Sequence, residues 1–148
     1  MGKTYIELAY KEALKAIEED EVPVGAVIVK DNKIIARAHN KKESTNNPLG
    51  HCEILAINKA CKKLKTWRLN DCDIYVTLEP CTMCLGALIQ ARIRNIYYGA
   101  VDSRFGAIEG SYKLLEAGKF NHYPNTFNLS DEKCSKILSE YFKTKRNK

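Results

Sequence analysis

Apolar residues recur at two spacings along this chain, and the switches between them outline a fold. Tyr5, Leu8, Ala9, Ala13, Ala16 and Ile17 stand at helical spacing and predict an amphipathic helix from about residue 4 to 19. Val22 to Val29 is apolar and rich in β-branched residues, Asp31-Asn32-Lys33 is turn chemistry, and Ile34 to Ala38 is apolar again. Together these signals predict a β-hairpin. Ile54, Leu55, Ile57, Ala60, Cys61 and Leu64 return to the helical period. Ile74 to Leu78 is a short apolar strand bounded by polar residues. Pro80 suits a helix start, and Met83, Leu85, Ala87, Leu88 and Ile89 continue that helix. Ile96 to Ala100 is a further buried strand, and Cys134, Ile137, Leu138, Tyr141 and Phe142 mark a last amphipathic helix. The order α-β-β-α-β-α-β-α predicts a sheet covered by helices on both faces.

The 148 residues fit one domain, 1–148, long enough to bury a core. Repeats, low-complexity runs and linkers are absent from the sequence. No stretch approaches the roughly 20 apolar residues of a membrane span. The opening MGKTYIELAY has no apolar signal region. A cytoplasmic protein with no membrane partner is therefore expected. In that compartment six cysteines are thiols, metal ligands or catalytic groups rather than a disulfide framework. The net charge of +6 favours an anionic partner, nucleic acid foremost, without requiring one.

Two clusters carry chemistry. Glu79-Pro80-Cys81-Thr82-Met83-Cys84 puts two cysteines on one side of a helix's first turn. The partial positive charge and free N–H groups of a helix start favour thiolates there. Alone, such a pair is a weak signal: it fits a redox dithiol or half a metal site, and two buried thiols better than either. Gly50-His51-Cys52-Glu53 decides among these. His51 precedes a second helix, so one imidazole and two thiolates can surround a zinc ion with a fourth position open. Three protein ligands plus water is the pattern of a catalytic zinc, because structural sites usually close with four. Such a metal lowers the pKa of its water from 15.7 to roughly 7. Glu53, two residues beyond His51, is placed to move that water's proton as general base and then acid. The joint pattern H-x-E with P-C-x-x-C is the known signature of zinc nucleobase deaminases.

On these residues the chain resembles the cytidine deaminase superfamily, and within it the bacterial tRNA-specific adenosine deaminases. The likeness extends through Glu21-Val22-Pro23-Val24-Gly25-Ala26, Ala36-Arg37-Ala38-His39-Asn40, Thr66-Trp67-Arg68-Leu69, Tyr75 to Cys81, Tyr98-Gly99-Ala100 and Phe120-Asn121-His122. The resemblance implies a three-layer α/β/α sandwich around a mixed sheet of about five strands. It implies hydrolytic deamination of the wobble adenosine of a tRNA anticodon to inosine, with zinc held by His51, Cys81 and Cys84 and Glu53 as the catalytic residue. It also implies a homodimer with the anticodon stem-loop bound across both subunits. The chain departs from the family pattern at Leu49, Gly50 and Cys52, where that pattern reads Thr, Ala and Ala, and in the bulky loop from Asp102 to Ser111. All of these lie where substrate would be held.

Other residues have two readings each. Asn40 is a turn-former or, as the resemblance implies, a contact to the nucleoside. Asp102 orders a substrate loop or is a solvated loop acid. Phe105, flanked by Gly106, is the candidate for stacking on a base, while Trp67 is expected in the core. His39 and His122 are expected to be hydrogen-bonded rather than ligating. Cys61, Cys72 and Cys134 are expected as core thiols, and Cys52 as a small packing residue. The basic tail Lys143 to Lys148 is a solvated terminus or a phosphate contact. Two rival functions remain. One is a deaminase of a free nucleobase or nucleoside of the guanine, cytosine or cytidine type. The other is a non-catalytic, zinc-stabilised RNA-binding module, which would need a fourth protein ligand.

Overall fold

The hairpin closes on two residues. Asp31 (φ 51°) and Asn32 (φ 60°) both adopt left-handed backbone, as the commonest two-residue hairpin turn requires. Asp and Asn accept that geometry more readily than other side chains. The flanking strands are β1 (Gly25–Lys30) and β2 (Lys33–His39), paired antiparallel from Gly25 opposite His39 to Lys30 opposite Lys33. A computed structural model of the chain describes residues 2–146, with side chains from 4 to 145. The remaining elements are α1 (Gly2–Glu18), α2 (Cys52–Leu64), β3 (Asp73–Leu78), α3 (Thr82–Gln90), β4 (Asn95–Ala100), α4 (Leu114–Ala117), β5 (Asn125–Asn128) and α5 (Glu132–Arg146).

The five strands form one sheet in the order β2-β1-β3-β4-β5. The β1 pairings to β2 and β3 are antiparallel, and those of β4 to β3 and β5 are parallel. Parallel neighbours need a crossover, which α3 supplies between β3 and β4. Alternation along β1 sorts its side chains to two faces. Ala26 and Ile28 join Ala56 and Ala60 of α2 and Leu85 and Leu88 of α3, while Val27 and Val29 join Ile6 and Ala9 of α1 and Cys134 of α5. The sheet is thus the middle of three layers. Each fully buried leucine or isoleucine in it contributes about 1.5–3 kcal/mol.

The topology gathers chain ends at one edge. Gly25 begins β1 opposite the end of β2 at His39, and Leu78 ends β3 opposite Ala100, the end of β4. Segments leaving this edge start α2 and α3 and the loop after β4. In sheets of this kind ligands bind beyond the carboxyl ends of the strands.

Several expectations shift. β1 begins at Gly25 rather than Val22, because Pro23 interrupts the run and the Val24 N–H bonds back to the Val22 carbonyl at 2.8 Å. Pro80 stands one residue before Cys81, the N-cap of α3, instead of inside the helix. The strand β5 has no apolar pattern. It is a polar edge strand attached by pairing to β4 and by Phe127 stacked on Tyr97 at 4.9 Å. Trp67 is not in the core: it is 55% exposed, with the guanidinium groups of Arg68 and Arg92 at 4.9 and 5.7 Å from its ring. α2 ends at Leu64 with Lys65 left-handed, and the chain then delivers Leu69 to the interior in place of the tryptophan. Cys72 and Cys134 are fully buried, and Cys61 is half-buried against the core. His39 is buried between the carboxylates of Glu12 and Glu19, and His122 bonds the Ile93 carbonyl. Among the described residues no helix is long and apolar enough to cross a membrane.

Candidate active site

His51 is the N-cap of α2, and its own carbonyl accepts the Leu55 N–H at 3.1 Å. Cys81 is the N-cap of α3, and Cys84 lies within that helix's first turn. Two helix starts therefore meet at the sheet edge. His51 Nδ1 lies 3.7 Å from Cys81 Sγ and 3.5 Å from Cys84 Sγ. All three candidate ligand atoms fall within 4.8 Å of one another. These spacings suit a shared metal. Tetrahedral zinc with bonds of about 2.0–2.1 Å to nitrogen and about 2.3 Å to sulfur sets N···S edges of roughly 3.5 Å. The donor set is also the one that borderline-soft zinc prefers.

The sulfurs are electrostatically unequal. The Cys84 thiol donates to Cys81, which holds Cys81 down at about 4, while the same bond and burial push Cys84 up. The bond to Cys81 raises His51. Glu53 is 4% exposed, and burial pushes its carboxyl up from the usual carboxylate range. It lines the same cavity as His51 and Cys81. Its Oε1 accepts the Cys52 thiol at 3.2 Å, and burial keeps that thiol well above the ordinary cysteine value.

Asn40 is more than a turn-former. Its Oδ1 accepts the Cys52 N–H at 2.8 Å, satisfying a free donor of the first turn of α2. That bond leaves the amide nitrogen as the group Asn40 can offer to the cavity it lines. Asp102 shapes its own loop, since its Oδ1 accepts the N–H groups of Arg104 and Phe105, each at 3.1 Å. Phe105 is 55% exposed on the cavity lining, with the Arg104 guanidinium 5.3 Å from its ring. The cavity measures about 560 Å³, inside the roughly 300–1,000 Å³ of small-molecule sites. Lys42 and Arg104 add positive charge to its wall.

The basic tail is partly committed. Lys145 ion-pairs with Asp20 at 2.5 Å, while Lys143 is exposed, and Asn147 and Lys148 lie outside the described residues. Two buried acids in the lining, Glu21 and Glu79, were not singled out from the sequence. The hint was an acid bordering an apolar run, Glu21 just before Val22 and Glu79 just after Leu78, positions where solvated acids are also common.

The chain is similar over nearly its whole length to known deaminases. Residues 2–146 match the MafB19-like deaminase family. A tRNA-specific adenosine deaminase of Aquifex aeolicus is 43% identical over 148 residues, covering 99% of this chain and 98% of its own. A solved structure from studies of A-to-I editing by tRNA:A34 deaminases at the wobble position of transfer RNA superposes with a TM-score of 0.88. It is 43% identical, across 92% of this chain and 99% of that one. The guanine deaminase of Bacillus subtilis superposes with a TM-score of 0.66 at 32% identity, across 99% of this chain and 94% of its own.

Proposed function

We propose a function from one premise: the chain belongs to the MafB19-like deaminase family, among the tRNA-specific adenosine deaminases. On our reading it converts adenosine to inosine by hydrolysis at the wobble position of a tRNA anticodon, releasing ammonia, and does so in the cytoplasm. The observation that carries this is the meeting of His51, Cys81 and Cys84 at two helix starts, beside buried Glu53, in a chain 43% identical to proteins of that name.

His51, Cys81 and Cys84 would hold the zinc ion. When bound, zinc supplies Lewis acidity that lets a water lose its proton near neutral pH. Glu53 takes that proton and delivers it to the purine nitrogen beside C6 as the oxygen adds to C6, then collects the oxygen's remaining proton and hands it to the amine as the C6–N bond breaks. Its buried setting, which favours the protonated carboxyl, suits a group that must hold a proton between these transfers. Asn40 offers its amide nitrogen to the nucleoside, and the exposed face of Phe105 offers a platform for a neighbouring base. A base in a loop is already partly unstacked, so extruding it costs less than extruding one from a duplex. A homodimer gripping the anticodon stem-loop completes the reading, and sedimentation with and without RNA checks it.

Incubation with total tRNA, followed by inosine detection at the wobble position, tests the substrate. Parallel assays use free adenosine, cytidine and guanine. Inosine in tRNA is expected. Turnover of free guanine or a nucleoside alone would overturn the RNA reading and favour the chemistry of the guanine deaminase relative.

A further inference from the structure

The loop after β4, residues 101–113, brings Asp102, Arg104, Phe105 and Tyr112 to the cavity lining. Ala107 is buried and Ile108 packs on the core, while Phe105 faces outward, so apolar burial explains only part of its shape. One carboxylate supplies much of the rest. Glu79 is 2% exposed and directly precedes Pro80-Cys81. Its Oε1 accepts the Asp102 N–H at 2.9 Å. Its Oε2 accepts the N–H groups of Ile108, Glu109 and Gly110 at 2.8, 2.5 and 2.9 Å. The two oxygens thus take opposite ends of the loop. Four donors also fill the roughly four acceptor sites of a carboxylate.

The close approach dictates residues on the loop side. A Cβ on Gly106 would collide with Glu79 Oε1, and one on Gly110 would collide with the Asp102 carbonyl. Glu109 is fixed in turn by the Tyr98 hydroxyl at 2.8 Å and the Asn128 amide at 2.7 Å. The Glu79 side-chain bonds all run to this loop. Burying an acid is costly unless it is fully bonded, and a bare packing role would be served as well by an apolar residue.

We propose that Glu79 is a positioning residue: its carboxylate ties the 102–110 loop to the metal-binding turn and so sets where Phe105 and Asp102 meet the substrate. This deepens the functional reading above and rests on it. If the loop loosens, only a fraction of molecules presents the wall that binds, and apparent affinity falls by that fraction. The metal group and Glu53 are untouched, so turnover of bound substrate survives.

Glu79→Gln tests this, because it keeps the size but turns one acceptor into an NH2 group facing N–H donors. Bound zinc per chain should stay at the wild-type level. KM for an anticodon stem-loop should rise roughly tenfold while kcat stays within about threefold. Amide exchange across residues 103–110 should accelerate. Unchanged KM with unchanged exchange overturns the proposal, as does loss of zinc or a fall in kcat at constant KM. Gly106→Ala approaches the same contact from the loop and should reproduce the pattern. The double variant should show little more than either single change, whereas additive effects on KM overturn the coupling. Should Glu79→Gln fail to fold, Gly106→Ala decides alone, and wild-type KM and exchange in it overturn the proposal. A wild-type protein inactive on RNA would sink the functional reading instead, while the exchange rates still judge the loop.

Discussion

His51 and Cys81 of the proposed metal group line the same cavity as the loop wall, yet the two regions are built in opposite ways. His51, Cys81 and Cys84 occupy the starts of two regular helices, and the proposed zinc site requires each to be that residue type. The 101–113 loop is largely irregular and is shaped by backbone N–H groups converging on Glu79. Every residue except proline carries such a donor. On the proposed function, reaction chemistry is specified by side-chain identity, and the shape of the binding wall by backbone geometry. Changes to the first region should therefore abolish an activity, and changes to the second should grade it.

The largest effect should come from the metal group. Cys84→Ala removes one of the three donors and leaves too few ligands for a tetrahedral zinc site. Zinc content by mass spectrometry and deamination should both fall to background, and a strong chelator should do the same to the wild type. A Cys84→Ala protein that kept its zinc and its turnover would break the assignment. Next in size is Glu53→Gln. The amide keeps the shape but cannot take a proton, so kcat should drop by about 10²–10⁴-fold with zinc retained. Substantial residual turnover would mean that proton transfer runs through another group.

The same division explains what could be read in advance. The meeting of His51, Cys81 and Cys84 was legible because they are chemically distinctive and sit next to helix starts that the apolar periodicity locates. The inner strands were legible for a similar reason: β1, β3 and β4 are apolar runs, buried on both faces of the sheet. β5 was not, since Asn125-Thr126-Phe127-Asn128 has no alternation and is held by an edge pairing and one aromatic stack. Trp67 was misplaced because a large aromatic after an amphipathic helix suggests the core. The left-handed cap at Lys65 turned the chain, and Leu69 filled that role. Glu79 escaped notice because its partners are backbone donors some 23 to 31 residues further along, which no spacing of residue types reveals.

A smaller effect is expected at the wall itself. Phe105→Ala deletes the exposed ring from the lining without touching zinc or Glu53. Base–aromatic stacking contributes about 1–3 kcal/mol per base, so KM for a stem-loop should rise by roughly 5- to 140-fold. The rate on saturating RNA should change little. A fall in kcat instead would show that the ring aligns the reacting base, and the two regions would be less separate than their construction suggests.

The smallest effect should come at the seam between the regions. Cys52 stands between His51 and Glu53, is fully buried, and donates its thiol to Glu53 Oε1 at 3.2 Å. Burial pushes that thiol up, so it stays neutral through the physiological range. A thiol is a weak donor, and losing it takes little from the carboxylate. The stronger local bond, from the Cys52 N–H to Asn40, belongs to the backbone and survives Cys52→Ala. What the substitution removes is about one atom's worth of packing, on the order of 1 kcal/mol. For a chain of this size that is a fall in Tm of about 2–4 °C. Zinc content should be unchanged and kcat within about threefold of wild type. A tenfold loss of kcat with zinc intact would make the thiol a positioning group for Glu53. Side-chain identity at the centre of the site would then control geometry as well as chemistry, as the wall does through Glu79.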